Sequence, residues 1–403
     1  MRLKSALRRG VAAAVIAGIV VSSGIPAYAK TWDIASGDIT VKGASDESGN
    51  YNEVKQGDNE FKKDEGETVI TGESDKNTVT IDTSEGNVDV TFDDLKINVS
   101  GKTEVDGSGK TEVDGSGKTE GDSSGDGSGH GGKAAVTVRG NHDATIELDG
   151  DNKLKSGSNN AGLEKNERES KGTLTIKDDN GKDGSLTAEG GDGGGDGGGA
   201  GIGGKHESGA GNIEITGGTI KAVGGEGAAG IGGGVYGTGH DIEISGGKVS
   251  ATGGDANKNL DSSRPGAAGI GDGAGTRSEI DPNAPPSNPS NPNHIIISGD
   301  AEVEARAGAS TGGKTAAIGG GMVGEISNDA LSSGHNGSLT RYDSAGNKME
   351  DYSYDRRTPS QPEQPDDTEN NDDDDDENDA PNTQAGEVPD RVKQMYETVG
   401  VIT

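Results

Sequence analysis

The chain has 403 residues, of which 74 are glycine, 12 are proline and none is cysteine, and it carries a net charge of −33. Only 27% of its residues are hydrophobic and 2% aromatic, so a conventional compact core is excluded, as is any disulfide framework. The glycines lack the one-in-three spacing of a collagen helix, and so acidic a surface repels phosphate backbones, which argues against a nucleic-acid partner.

The N-terminus reads as an address. "MRLKSALRRG" carries four basic residues, "VAAAVIAGIVV" (11–21) is apolar, and Ala27-Tyr28-Ala29 forms a small-residue cleavage pattern. This order predicts a secretory signal peptide over 1–29, cleaved near Ala29. The apolar run is shorter than the ~18–20 residues of a spanning helix, and no second one follows. The expected protein is secreted and extracellular, associated with the cell surface, with no membrane insertion after cleavage.

From there the elements follow in chain order. "TWDIASGDITV" (31–41) predicts the first turn, and Trp32, Tyr51 and Phe61 suit an N-terminal cap and first coil over 30–77. "TVTIDTSEGNVDVTFDDLKINV" (78–99) alternates apolar and polar residues, the period of half-buried strands. "GKTEVDGS" (101–108) is duplicated at 109–116 and decays at 117–124, which predicts a flexible insertion over 101–132. Alternation resumes in "AAVTVRGNHDATIELDGDNKLKSG" (134–157).

A repeat then takes over. "TLTIKDDNGKDGSLTAEGG" (173–191) returns as "NIEITGGTIKAVGG" (212–225), "DIEISGGKVSATGG" (241–254) and "HIIISGDAEVEARAG" (294–308). Between these lie "GAGIGG" (199–204), "EGAAGIGGG" (226–234), "GAAGIGDG" (266–273) and "TAAIGGGM" (315–322). Ile213 and Ile242 are 29 residues apart, and so are Ile202 and Ile231, so both markers keep one period. Each unit reads as strand, glycine corner, strand, glycine corner, strand. The predicted fold is all-β, a right-handed parallel β-helix over 78–340 with three short strands per coil. Ile202, Ile231, Ile270 and Ile318 should stack into one interior ladder.

A second insertion is expected at 273–293, where "IDPNAPPSNPSNPN" (280–293) is proline-rich. Residues 341–403 read as a disordered tail, since 359–390 hold 13 acidic residues and no basic one. "RVKQMYETV" (391–399) fits a short terminal helix.

The stretches "GNIEITGGTIKAVGGEGAAGIGGG" (211–234), "ATIELDGDNKLKSG" (144–157) and "GTLTIKDDNGKDGSLTAEGG" (172–191) carry a resemblance. The chain resembles secreted Firmicute β-helix proteins known as carbohydrate-binding domains, whose fold is similar to that of pectate lyases. The resemblance covers about 130–325 well and 31–100 loosely. It implies calcium-assisted binding of plant or acidic polysaccharide, with no need for catalysis.

The residues themselves offer a metal site and a weaker catalytic one. Calcium takes several hard oxygen ligands. Asp178, Asp179, Asp183, Asp192 and Asp196 lie on glycine-rich turns and are expected along one edge of the helix, where calcium could bridge to an acidic glycan. Asp93-Asp94, Asp178-Asp179 and Gly129-His130-Gly131 have the flavour of a glycoside hydrolase, and Arg139 or Arg306 could serve a lyase as base. No Asn-Thr-Asp or Arg-Ile-Lys motif accompanies them, and His130 lies in a glycine-serine loop. Within 130–325 the only aromatic residue is Tyr236, so stacking on sugars should matter less than hydrogen bonds and ion bridges. The sequence reading is a non-catalytic protein that binds polysaccharide or a cell-surface glycan. Its rivals are a structural or adhesive stalk and a divergent polysaccharide lyase.

Overall fold

Short alternating runs that end at glycine or asparagine make the chain turn three times per coil and lay each coil on the last. The computed structural model describes residues 30–350 apart from 48, 65, 102–131, 181–182, 194–196, 257–265, 276–293, 311–314, 321–323, 326–330 and 333. Its strands form three parallel ladders. The first runs through Thr68–Ser74, the front of Val88–Asn98, Ala144–Asp149, Leu174–Lys177, Ile213–Ile215, Ile242–Ile244 and Ile295–Ile297. The second takes the ends of Thr68–Ser74 and Val88–Asn98, then Asp151–Lys155, Ser185–Glu189, Thr219–Val223, Lys248–Thr252, Glu302–Arg306 and Ser338–Tyr342. Val88–Asn98 serves both because it turns a corner at Asp94, whose φ is +52°. The third ladder runs from Ile39–Asp46 through Val79–Thr83, Val136–Gly140 and Leu163–Glu164 to Ile202–Gly203, Ile231–Gly232, Ile270–Gly271 and Ile318–Gly320. The chain is a parallel β-helix with three strands per coil.

The isoleucine ladder is present as expected. Ile202, Ile231, Ile270 and Ile318 are fully buried and are register partners from coil to coil. The column continues upward through Leu163, Val136, Val79 and Ile39. The glycine after each isoleucine has a definite task. Gly203, Gly232, Gly271 and Gly319 have φ between +124° and +135°, a region that L side chains rarely enter. A Cβ on Gly203, Gly232 or Gly271 would also run into the carbonyl oxygen of its partner glycine on the next coil.

The N-terminal end is closed by an antiparallel hairpin, Ile39–Asp46 with Gly49–Gln56, extended by Lys62–Asp64. Trp32 belongs to this cap: its indole N–H donates to Asp64 at 2.8 Å, and the Lys30 ammonium lies 3.7 Å above its ring. Phe61, expected in the cap, is 42% exposed. At the other end Ser338–Tyr342 extends the second ladder, so the coils continue past residue 340. Most of the 101–132 insertion, the proline-rich stretch 280–293, the acidic segment 359–390 and residues 391–399 lie outside the described residues.

A charged staple ties several coils at the corner before the first ladder. His240 lies 3.5 Å from Glu167 and 2.7 Å from Asp241, and His294 lies 2.7 Å from the other Asp241 oxygen. The His240 ring reaches past the intervening coil because Gly211 has no side chain there; a Cβ would meet the ring. Hydrogen bonding to Glu167 raises His240 to about 9 against the opposing cost of burial, and the histidines hold the Asp241 carboxyl below its ordinary value despite its desolvation. One turn away, Lys165 is buried and donates to the carbonyls of Ser170 and Gly211 at 3.2 and 2.9 Å. Desolvation lowers that amine to about 8.

Two outcomes follow from this packing. Gly232→Ala should destabilise the protein by about 3 kcal/mol or more, because strain and backbone overlap act together; urea denaturation measures it, and a near-neutral result would contradict the glycine geometry. The His240 contribution should be complete below pH 6.5, its ordinary value, and lost as pH rises through about 9. Neutralisation of Lys165 acts in the opposite direction but is common to both proteins when wild type is compared with His240→Gln. The stability difference between them should be about 1 kcal/mol at neutral pH and disappear above the His240 value.

Candidate functional site

In a parallel stack each outward residue recurs one coil away, about 4.8 Å along the axis. The second ladder uses this spacing to set two lysines in register on an acidic chain. Glu73, Lys96, Lys153, Thr187 and Lys221 follow one another in register on its outer face. Two residues further along each strand, Asn98, Lys155 and Glu189 form a second row. Together with the turn at Ser74, Asp75 and Lys76, these rows as far as Thr187 and Glu189 line a groove of about 650 Å³.

The charges in the groove are unevenly satisfied. Lys155 pairs with Glu189 at 3.0 Å. Lys96 and Lys153 face each other directly across adjacent coils, and among the described residues neither makes an ion pair. Like charges in register repel. Part of that repulsion is relieved by Asp151, whose carboxyl is held below its usual value by the Ser185 hydroxyl first and by Lys153 and Lys96 after it. The floor beneath is rigid: Ile97 and Leu154 are buried, and Asn152 accepts from the Leu95 N–H and donates to the carbonyls of Asp149 and Ser185. Two lysines thus stand in register on adjacent coils in the lining of an open groove that also holds Glu73 and Asp75, and the lysine pair is an arrangement suited to an anion.

Of the aspartates expected to bind calcium, the four that are described, Asp178, Asp179, Asp183 and Asp192, are not all brought together. Asp178 and Asp179 precede strand Ser185–Glu189, and Asp183 lies in the same turn, whereas Asp192 follows the strand at the next corner. Five residues of extended chain span about 16 Å, too far for one ion. Their oxygens also have local partners. Asp178 accepts the Gly184 N–H at 3.0 Å, Asp179 pairs with Lys177 at 2.9 Å, and Asp192 accepts the Glu226 N–H at 3.0 Å. Asp196 lies outside the described residues, and among those described no group of three or more histidines or acidic residues is placed to hold a metal. Strand Ser185–Glu189, the second strand of the repeat unit at 173–191, separates the two turns, so Asp192 does not share an edge with Asp178, Asp179 and Asp183.

The residues considered for catalysis are scattered in the same way. Arg139 is on the third ladder and pairs with Asp82 at 2.9 Å. Arg306 is on the second, pairs with Glu304 at 2.9 Å and stacks on Tyr342 at 3.6 Å. Asp94 accepts the Asp151 N–H at the corner, and His130 lies outside the described residues.

Sequence reasoning passed over the lysine pair because Lys96 and Lys153 are 57 residues apart with an insertion between them. The signal was present in "DLKIN" and "DNKLK", where a lysine precedes an inward aliphatic, Ile97 or Leu154, at the same phase.

The family model described as a β-helix repeat matches residues 213–235 and 242–274. No curated protein and no solved structure matches the chain. The matched segments are consecutive coils of the ladders described above, and on both grounds the chain is a repeat protein of the parallel β-helix kind.

Proposed function

We propose that the protein is an exported, non-catalytic polysaccharide-binding β-helix that holds a carboxylate-bearing glycan along the outer face of its second ladder. One observation carries the reading: Lys96 and Lys153 stand in register in an open groove without ion-pair partners among the described residues, on a chain of net charge −33. An extended acidic polysaccharide presents one carboxylate after another along its length, and a ladder presents one side chain per coil. A carboxylate between the two ammonium groups would turn a repulsion into two charge-assisted hydrogen bonds. Thr187 and Lys221 continue the row, so the contact can extend beyond the pair. Export rests on the N-terminal signal-like segment, and the choice of a glycan on the family resemblance.

This reading replaces the expected calcium bridge with lysine. The overall negative charge of the protein still opposes an acidic ligand, so affinity depends on local rather than net charge, and exposed contacts should weaken with salt.

Affinity electrophoresis of the chain from residue 30 through gels containing polygalacturonate tests it. Retention should survive chelator and decline with ionic strength. Lys96→Ala with Lys153→Ala should weaken binding about tenfold, equivalent to ~1.4 kcal/mol. Undiminished retention in the double variant would overturn the groove, and abolition by chelator alone would restore the calcium bridge. Absence of retention on any glycan would favour the stalk.

A further inference from the structure

The N-terminal hairpin forms a second cleft, of about 670 Å³, against the outer face of the first ladder. Its floor contains Asp89, Thr145 and Thr175, in register on three successive coils. The row beside it is Thr91, Glu147 and Lys177. Tyr51 and the amide of Asn50 border it on the hairpin side, with Glu67 below them. Asn52 fixes that wall, donating to the Thr68 hydroxyl at 2.9 Å and the Asp89 carbonyl at 2.6 Å.

The charge here is opposite to that of the lysine groove. Four carboxylates line the cleft, from Glu67, Asp89, Glu147 and Asp179, with Lys177 as the one cation in its lining. Lys177 is already engaged, 3.3 Å from Glu147 and 2.9 Å from Asp179. Glu147 also accepts the N–H groups of Asp179 and Asn180, which closes that corner of the cleft on itself. Lys63, stacked 4.0 Å over Tyr51, pairs with Asp46. Glu67 accepts from the Thr91 hydroxyl, and among the described residues the Asp89 carboxyl makes no hydrogen bond or ion pair, so two carboxylates in the lining of the cleft have no cation paired with them there.

A second observation lies beyond the cleft. The Asp89–Thr145–Thr175 row continues in register to Glu214 and Glu243, which are like-charged neighbours on adjacent coils. The face therefore stays acidic for several coils and has the length to hold an elongated ligand. The amide and hydroxyl groups of Asn50, Thr145 and Thr175 supply the neutral donors and acceptors that sugar hydroxyls use.

We propose that this cleft and the acidic row below it bind a saccharide bearing protonated amino groups. Its ammonium groups would pair with Asp89 and Glu67 and, further along, with Glu214 and Glu243. The strongly negative chain favours the approach of such a ligand. The site is independent of the lysine groove, and either can fail without the other.

The probe is a glucosamine hexamer, titrated into the full chain by calorimetry at a pH where its amines are protonated. The fully N-acetylated hexamer and spermine serve as comparisons. The glucosamine hexamer should bind, acetylation should abolish binding, and spermine should bind at least tenfold more weakly. Asp89→Asn with Glu67→Gln should lower affinity at least tenfold, while Lys96→Ala with Lys153→Ala should leave it unchanged. Glu214→Gln with Glu243→Gln, remote from the cap, should weaken binding of the glucosamine hexamer but not of a glucosamine disaccharide. Equal binding of the acetylated hexamer, equal affinity for spermine, or wild-type affinity in both carboxylate variants would overturn the proposal. So would the absence of binding.

Discussion

Everything in this molecule depends on parallel, in-register hydrogen bonding between successive coils. That pairing sets every residue directly over its equivalent, about 4.8 Å away, and makes the interior a set of columns rather than a three-dimensional jigsaw. An isoleucine is then buried by the isoleucines above and below it and by the opposite walls of a narrow tube. The low hydrophobic content, which by itself suggests disorder, is enough for such a core. Hydrogen bonds along the axis, such as Ile202 N–H to Gly230 and Ile231 N–H to Gly269, hold the coils together even where a strand has shrunk to two residues.

The same register governs the outer faces. A charged side chain cannot choose its neighbour; it meets whatever its equivalent position carries on the next coil. Most of these contacts are complementary: Lys155 over Glu189, Arg139 over Asp82, Lys248 over Glu302. Lys96 over Lys153, Glu214 over Glu243 and Asp93 over Asp149 break that pattern. Lys96 over Lys153 and Glu214 over Glu243 lie on two different faces and carry opposite signs, and each is a place where a ligand of opposite charge would relieve the repulsion. The two proposed ligand classes follow from the opposite signs of these stacks.

The fold was legible because it is written as periodicity. Ile213 and Ile242, or Ile202 and Ile231, keep one spacing, and nothing but a repeating coil explains both markers at once. The surface was less legible because register must be known before neighbours can be named. Asp178 and Asp192 look close in a run of glycines, yet strand Ser185–Glu189 carries the chain across a whole face between them. Lys96 and Lys153 look remote, yet Ile97 and Leu154 beside them pair in register on adjacent coils. Tyr51 read only as a cap residue, because the antiparallel hairpin that places it beside the first ladder has no counterpart in the repeat.

This architecture also separates stability from recognition. Inward positions and the left-handed glycines admit few substitutions: Ile231 has no exposed surface, and Gly232 has neither the backbone conformation nor the space for a side chain. Outward positions on the same strands are bounded only by their neighbours above and below. In Asp151–Lys155 the buried Asn152 and Leu154 alternate with exposed Asp151, Lys153 and Lys155, so adjacent residues answer to different constraints. A change at Lys153 can alter the charge of the groove without moving Leu154, because the backbone between them is fixed by both flanking coils. The β-helix is therefore a scaffold whose core sets the spacing of its surface and leaves the chemistry of that surface free to vary.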